Sequence, residues 1–186
     1  MSQLTDEELA RRVQRGEMQW FAFLVDRYEQ KMARYAKKYL FGNDDVDDLV
    51  QDVFVKAFTN IQSFDASRRF SPWIYRIAHN EFVNSLKKKG RDNVSFFDPD
   101  TLFPHPVYEE QNSEAEREDL KKILDTSLDK VDAKYREPLI LYYYENQDYQ
   151  EISDIMRIPV STVGVRLRRG KEALKKIVEE TNLEHE

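Results

Sequence analysis

Apolar residues recur at intervals of three and four along most of the chain, and no stretch alternates with the two-residue period of a half-buried strand. Leu9, Val13, Phe21, Leu24, Val25, Tyr28, Met32, Tyr35 and Tyr39 make the first series, which predicts helix over residues 5–40. Thr5 stands three residues before Glu8, a capping-box spacing. Gly16 predicts a break into two helices, because glycine is costly inside one. Gly42-Asn43 reads as a turn, and Asp44-Asp45-Val46-Asp47-Asp48 opens the next helix with acids at its positive end. Val46, Leu49, Val50, Val53, Phe54, Ala57, Phe58 and Ile61 form the broad apolar stripe of that helix. Ser71-Pro72 predicts a further helix start, with serine as N-cap, running to about Lys89 before Gly90.

Periodicity then lapses. Residues 92–113 hold Pro99, Pro104 and Pro106 among acids and read as a flexible linker between two domains. A second helical block runs from Ser113 to about Glu180, and Pro138, Pro159 and the polar turn 145–148 divide it into about four helices. Near its end Asp148-Tyr149-Gln150-Glu151 repeats the cap spacing before a short helix with Ile152, Ile155 and Met156 on one face. Arg157-Ile158-Pro159 is a turn, with Pro159 placed for the first position of the next helix. There Val163, Leu167, Gly170, Leu174 and Ile177 form a narrow stripe, with Ser161, Thr162, Arg168, Arg169, Lys171 and Lys175 opposite. A short helix, a tight turn and a helix apolar inside and basic outside make a helix-turn-helix. The fold class expected is therefore all-α, with two small helical domains joined by an acidic linker.

Composition narrows the class. Charged residues are 34% of the chain and glycines number only five, which favours helices over a turn-rich β protein. The absence of cysteine excludes disulfides, zinc–cysteine sites and thiol nucleophiles. The start from Met1 to Glu8 is polar and acidic rather than a signal peptide, and the uncharged run near 138–144 is too short to span a bilayer. A soluble, cytoplasmic protein without membrane insertion of its own is expected.

The distribution of charge says more than its total. The net charge is −6, yet residues 67–95 carry seven Lys or Arg against two acids, and residues 149–178 carry seven against three. Between them, residues 96–120 carry one against eight. An acidic chain with two basic helices presents those helices to a polyanion, since nucleic-acid affinity depends on Lys and Arg near phosphates. In the second, hydroxyls at the N-terminal end suit base edges and arginines suit guanine or phosphate; the alternative is a solvated basic face near a helix C-terminus. In the first, residues 70–89 combine aromatics, amides and a basic end, which suits unstacked single-stranded bases. Trp73 and Tyr75 are candidates for a stacking platform, although Trp73 also falls on the Phe70/Ile77 stripe of a core.

Two rival classes remain to be weighed. The aspartates at 44, 45, 47, 48 and 52 suggest a metal site, but no glycine follows at the EF-hand position. His79, His105 and His185 are scattered and no phosphate-binding glycine loop or nucleophile–base pattern appears, so no enzyme, cofactor or metal is expected. A helix-turn-helix repressor or activator acting without polymerase would need a dimer seam, and no sustained heptad is evident.

The motifs together resemble a family. Asp48-Leu49-Val50-Gln51-Asp52-Val53-Phe54, the segment from Phe64 to Asn80 with Trp73-Ile74-Tyr75-Arg76-Ile77-Ala78-His79-Asn80, and Tyr135-Arg136-Glu137-Pro138-Leu139 followed by Tyr149-Gln150-Glu151-Ile152, Thr162-Val163 and Arg166-Leu167-Arg168-Arg169 occur in order. In this the chain resembles bacterial alternative sigma factors of the extracytoplasmic-function type over nearly its whole length. The resemblance implies sigma domain 2 over residues 1–91, a linker over 92–113 and sigma domain 4 over 114–182. It implies a transcription initiation factor whose Asp48, Gln51, Asp52 and Phe54 dock on the β′ clamp helices of core RNA polymerase, with the β flap as a second contact. The loop 62–69 would hold a flipped base of the −10 strand, with Phe64, Arg68, Arg69, Arg76, Asn80, Asn84, Lys87 and Lys88 on promoter DNA. Ser161, Thr162, Val165, Arg166, Arg168 and Arg169 would read the −35 duplex. An anti-sigma factor is the further partner implied.

Two positions depart from the family pattern. Gly164-Val165 stands where such factors carry a basic residue and a hydroxyl, and valine could meet a thymine methyl but cannot hydrogen-bond. Asn84 replaces a frequent aspartate. A linker of about 22 residues spans up to ~75 Å extended, against about 70 Å for two turns of B-DNA. Its acidity suits either a solvated tether or passage through a basic polymerase channel.

Overall fold

A computed structural model describes residues 4–41, 45–88 and 114–183. Eight α-helices and no strand occur among them. The chain divides into two compact units, residues 1–89 and 90–186. The expected turn at Gly42-Asn43, the acid Asp44, the end of the basic helix at Lys89 and the linker 92–113 lie outside the described residues.

The first unit holds α1 (Asp6–Gln14), α2 (Phe21–Tyr39), α3 (Val46–Asn60) and α4 (Phe70–Lys88). Thr5 and Glu8 close a reciprocal capping box at the head of α1, as their spacing predicts. Gly16 has φ +94°, the left-handed conformation that a side chain resists, and it does separate α1 from α2. Arg27 and the Tyr28 hydroxyl of α2 both bond the Asp6 carboxylate and fix α1 across α2. Burial and that carboxylate push the Tyr28 phenol far above its ordinary value. Leu9, Val13, Leu24, Met32, Tyr35, Ile74, Ala78 and Phe82 are buried together in the core. α4 begins at Phe70, before the expected Ser71-Pro72, and the Glu7 carboxylate accepts from the Phe70 N–H at 2.9 Å. Part of the capping at this end therefore comes from a helix 63 residues away in sequence.

The second unit holds α5 (Glu114–Ser127), α6 (Ala133–Tyr143), α7 (Tyr149–Met156) and α8 (Val160–Leu183). The expected count of about four helices agrees, but Pro138 does not divide them. It lies inside α6, and the break falls at 128–132, where a single 3₁₀ turn and the Asp132 cap intervene. Burial of the whole run from Glu137 to Tyr143 offsets the one backbone hydrogen bond that proline removes. α8 packs on α5, α6 and α7. Asp148 and Glu151 form a capping box at the head of α7. Arg157 ends α7 in the left-handed region (φ 55°), and the Ser153 hydroxyl donates to the Ile158 carbonyl at 2.6 Å, fixing the turn into α8.

Candidate polymerase and nucleic-acid interfaces

On α3 the apolar face is turned inward through Val46, Val50, Val53 and Ala57, and Phe54 joins it at only 9% exposure. Asp48, Gln51 and Asp52 are exposed on the opposite side. Of the four docking residues expected, the structure brings three to one surface and corrects Phe54, whose neighbours on the stripe carry it into the core. Val55 at 54% exposure takes its place on that surface, three and four residues beyond Asp52 and Gln51. An apolar residue standing off the stripe, Val55, was the available signal. Phe58, expected in the stripe, is 38% exposed and meets the Phe21 ring edge-on at 5.0 Å. Phe23 of α2 and Met18 of the 3₁₀ turn before it are likewise exposed, so this part of the first unit carries apolar side chains outside the core as well as acids.

The loop between α3 and α4 is held in place mainly through its backbone. Gln14 donates to the carbonyls of Ile61 and Phe64, both at 2.8 Å, and Arg11 donates to Ala66 O at 2.7 Å. Asp65 accepts from the Ser67 N–H and hydroxyl, and those two bonds hold its carboxyl below the usual carboxylate range. Gln62, Ser63, Asp65, Ser67, Arg68 and Arg69 remain exposed. Phe64 does not: it is 5% exposed and packs against the rings of Phe70 and Trp73 at 5.3 and 5.2 Å. The expectation that Phe64 touches DNA is corrected to an aromatic anchor beneath the loop. Tyr75 is buried as well, which removes it as a stacking platform, while Trp73 is half-buried.

Along α4, half-buried Arg76 and exposed Asn80, Asn84, Lys87 and Lys88 follow one another at intervals of three and four, on the side away from Phe70, Ile74, Ala78 and Phe82. The helix thus offers an amide and cationic ridge that begins at Arg76, about two turns after the loop ends.

On α8 the buried side is wider than the sequence suggests. Thr162, Val165 and Arg166 are buried along with Val163, Leu167, Gly170 and Leu174. Three of the six expected −35 residues are therefore turned inward. The narrow stripe read from the sequence does not contain the packing of other helices on α8, among which Tyr149 of α7 lies against Gly164 and Leu139 of α6 against Gly170. The outward row is Ser161, Gly164, Arg168 and Lys175, of which Arg168 and Lys175 are exposed and Ser161 and Gly164 half-buried, with half-buried Arg169 and Lys171 at its edge. Gly164 thus stands half-buried between Ser161 and Arg168, and an added Cβ would meet only the Tyr149 ring at 3.6 Å. Arg168 pairs loosely with Glu172 at 3.9 Å, both exposed, a contact weak enough to be exchanged for a phosphate. Burial lowers the Lys171 pKa, against the raising effect of Glu172.

Comparison with known proteins places these features. Residues 24–92 match the Sigma-70 region 2 family, and residues 121–174 match Sigma-70 region 4. The chain is 32% identical over 173 residues to the ECF RNA polymerase sigma factor SigW of Bacillus subtilis, covering 89% of this chain and 92% of that protein. It is 32% identical over 179 residues to the ECF RNA polymerase sigma-E factor of Escherichia coli K12, covering 92% and 93%. Among solved structures, CnrH in complex with the cytosolic domain of CnrY aligns with a TM-score of 0.68 at 25% identity, over 94% of this chain and 97% of that one. RpoE of Bartonella quintana, solved with the anti-sigma factor NepR, shares the fold with a TM-score of 0.64 at 23% identity, over 86% and 96%. Matching regions in the same order as the acidic and basic helices of the first unit and the helix-turn-helix of the second, together with relatives aligned over almost their full length, place the chain in the extracytoplasmic-function sigma factors of RNA polymerase.

Proposed function

We propose that the protein is a transcription initiation factor that binds core RNA polymerase and directs it to promoters by reading a melted −10 strand and a −35 duplex. It is not an enzyme: its task is to dock and to recognise. Residues 1–91 would act as domain 2, 92–113 as the tether and 114–182 as domain 4. The exposed Asp48, Gln51, Asp52 and Val55 face of α3 would meet the β′ clamp helices. The loop 62–69 with the Arg76, Asn80, Asn84, Lys87 and Lys88 ridge would hold the −10 strand, and Ser161, Gly164, Arg168 and Arg169 would face the −35 groove. Domain 4 would also meet the β flap.

One observation carries this reading. The acidic surface of α3 and the basic ridge of α4 lie on different helices of one unit, so polymerase and DNA can be engaged together. An anti-sigma factor is proposed as a further partner, supported by the structural likeness to CnrH, which was solved with CnrY. The exposed Met18, Phe23, Val55 and Phe58 offer such a partner apolar surface. No helix among the described residues is long and apolar enough to cross a membrane, and a cytoplasmic site of action follows from the polymerase it serves.

The test is reconstitution. Purified protein with sigma-free core polymerase should initiate at defined promoters drawn from a genomic library. Tight duplex binding by the protein alone without initiation at any promoter would instead indicate an ordinary helix-turn-helix regulator.

A further inference from the structure

Glu7, Arg11 and Gln14 lie at positions i, i+4 and i+7 of α1, which places them on one face of the helix. All three are directed at the segment 61–70. Gln14 holds the carbonyls of Ile61 and Phe64, Arg11 that of Ala66, and Glu7 the N–H of Phe70. Gln62 returns a bond to the Gln14 carbonyl at 3.1 Å. The contacts reach both ends of the loop and two points within it. They engage backbone atoms, so the side chains of Gln62, Ser63, Asp65, Ser67, Arg68 and Arg69 are left exposed. α1 itself precedes the stretch matched to Sigma-70 region 2, which begins at residue 24.

We propose that the Glu7–Arg11–Gln14 face of α1 is the positioning device of the strand-reading loop, holding residues 61–70 in their binding shape before DNA arrives. The proposal rests on the reading of that loop as the site of a −10 base. The physical reason is preorganisation. A loop that must be ordered as the base enters loses affinity to its own conformational entropy, and one already pinned does not. Backbone pinning also explains how the exposed side chains can vary without moving the loop. Glu7, Arg11 and Gln14 are positioning residues: they touch the loop and not the strand.

The test uses the full chain bound to core polymerase. A fluorescent single-stranded DNA 12-mer is first selected from a random pool with the unaltered holoenzyme, and its Kd is measured for each variant. Gln14→Leu and Glu7→Leu are expected to weaken strand binding about ten-fold, and Arg11→Ala about three-fold. Core polymerase affinity should stay within about two-fold. Glu7→Gln keeps an acceptor for the Phe70 N–H and should restore affinity, which loss of general stability would not predict. Amide hydrogen exchange over 62–69 should quicken in the weakened variants. Arg11 is exposed, so Arg11→Ala tests the proposal even where a Gln14 variant fails to fold. Faster exchange in the loop with unchanged strand affinity overturns the proposal, as does unchanged exchange in all three variants. The double variant Asp65→Ala/Ser67→Ala separates the two levels. If it too leaves strand affinity unchanged, the −10 reading of the loop fails; if it weakens binding and the α1 variants do not, only the positioning role fails.

Discussion

Two glycines in α8 receive the same substitution with opposite expected results. Gly164→Ala places a methyl group 3.6 Å from the nearest atom, Tyr149 Cε2, an ordinary contact. The helix then gains alanine's propensity advantage, about 1 kcal/mol, and for a unit of this size the midpoint rises by about 4–8 °C. Gly170→Ala places its methyl 2.8 Å from Leu139 Cδ1, 3.1 Å from its Cγ and 3.4 Å from the Tyr135 carbonyl. Leu139 is fully buried and has no room to turn, so α6 and α8 must part. Overpacking of this kind costs about 1–3 kcal/mol, which outweighs the same propensity gain and leaves a net loss of about 1 kcal/mol. The two variants should therefore differ by about 2 kcal/mol. Both tryptophans, Trp20 and Trp73, belong to the first unit. Far-UV circular dichroism and hydrogen exchange of α6 and α8 should follow the second unit, while the tryptophan fluorescence transition stays unmoved as an internal control. Equal stabilisation by both substitutions would refute the account of Gly170 as the place where α6 approaches α8. Gly164 carries a second consequence, because its added methyl projects from the outward row: selection of −35 duplexes should shift with Gly164→Ala and not with Gly170→Ala.

Further outcomes separate contact from core. Asp48→Arg and Gln51→Ala should weaken core polymerase binding, the first by about ten-fold in a titration, without lowering the unfolding midpoint. Phe54→Ala should destabilise the first unit by about 3–5 kcal/mol in urea, because its ring is core. Val165→Ala should cost the second unit about 2 kcal/mol and leave the selected −35 sequence unchanged, where a base-contacting valine would alter it. Arg168→Ala with Arg169→Ala should reduce −35 duplex affinity, spare polymerase binding and lower the salt slope by about two phosphate contacts. The first unit should keep its full Tyr28-linked stability below pH 10, the phenol's ordinary value, and lose it progressively above, because the unfolded chain ionises Tyr28 where the folded chain resists. Tyr28→Phe should flatten that part of the alkaline profile.

Much of this architecture is written locally and was legible for that reason. The Thr5/Glu8 and Asp148/Glu151 boxes and the Gly16 break each depend on residues within one turn, whereas Pro159, expected at the first helical position, stands one residue before α8 and accepts its first bonds. Exposure of Asp48, Gln51, Asp52 and Arg168 followed from periodicity alone. What failed depended on neighbours distant in sequence. The burial of Val165 and Arg166 reflects the packing of other helices on α8, and one helix's pattern does not contain that. Phe64 was expected on DNA through the family resemblance, yet its ring packs against Phe70 and Trp73. α4 starts two residues before the Pro72 expected, where Glu7, from another helix, accepts from its first N–H. Pro138, a helix breaker by local rules, sits inside α6 because the surrounding core holds the helix together.

The corrections change what domain 4 can recognise. With Thr162, Val165 and Arg166 turned inward, the outward row of α8 offers one small hydroxyl, one bare backbone position and arginines at 168 and 169. Such a surface has few groups for direct hydrogen bonding to base edges, and its cations suit phosphates. On the −35 role proposed for α8, Gly164 would let the helix backbone approach the groove more closely than a basic side chain would. Discrimination at −35 should then depend on groove shape and the few arginine contacts, leaving the flipped −10 base to carry a larger share of promoter choice. On that division, exchanging side chains in the loop 62–69 should retarget initiation more than any substitution at the head of α8. Selection of promoters from a library by the two classes of variant would decide it. Retargeting by α8 variants alone would place the greater specificity at −35 and reverse the assignment.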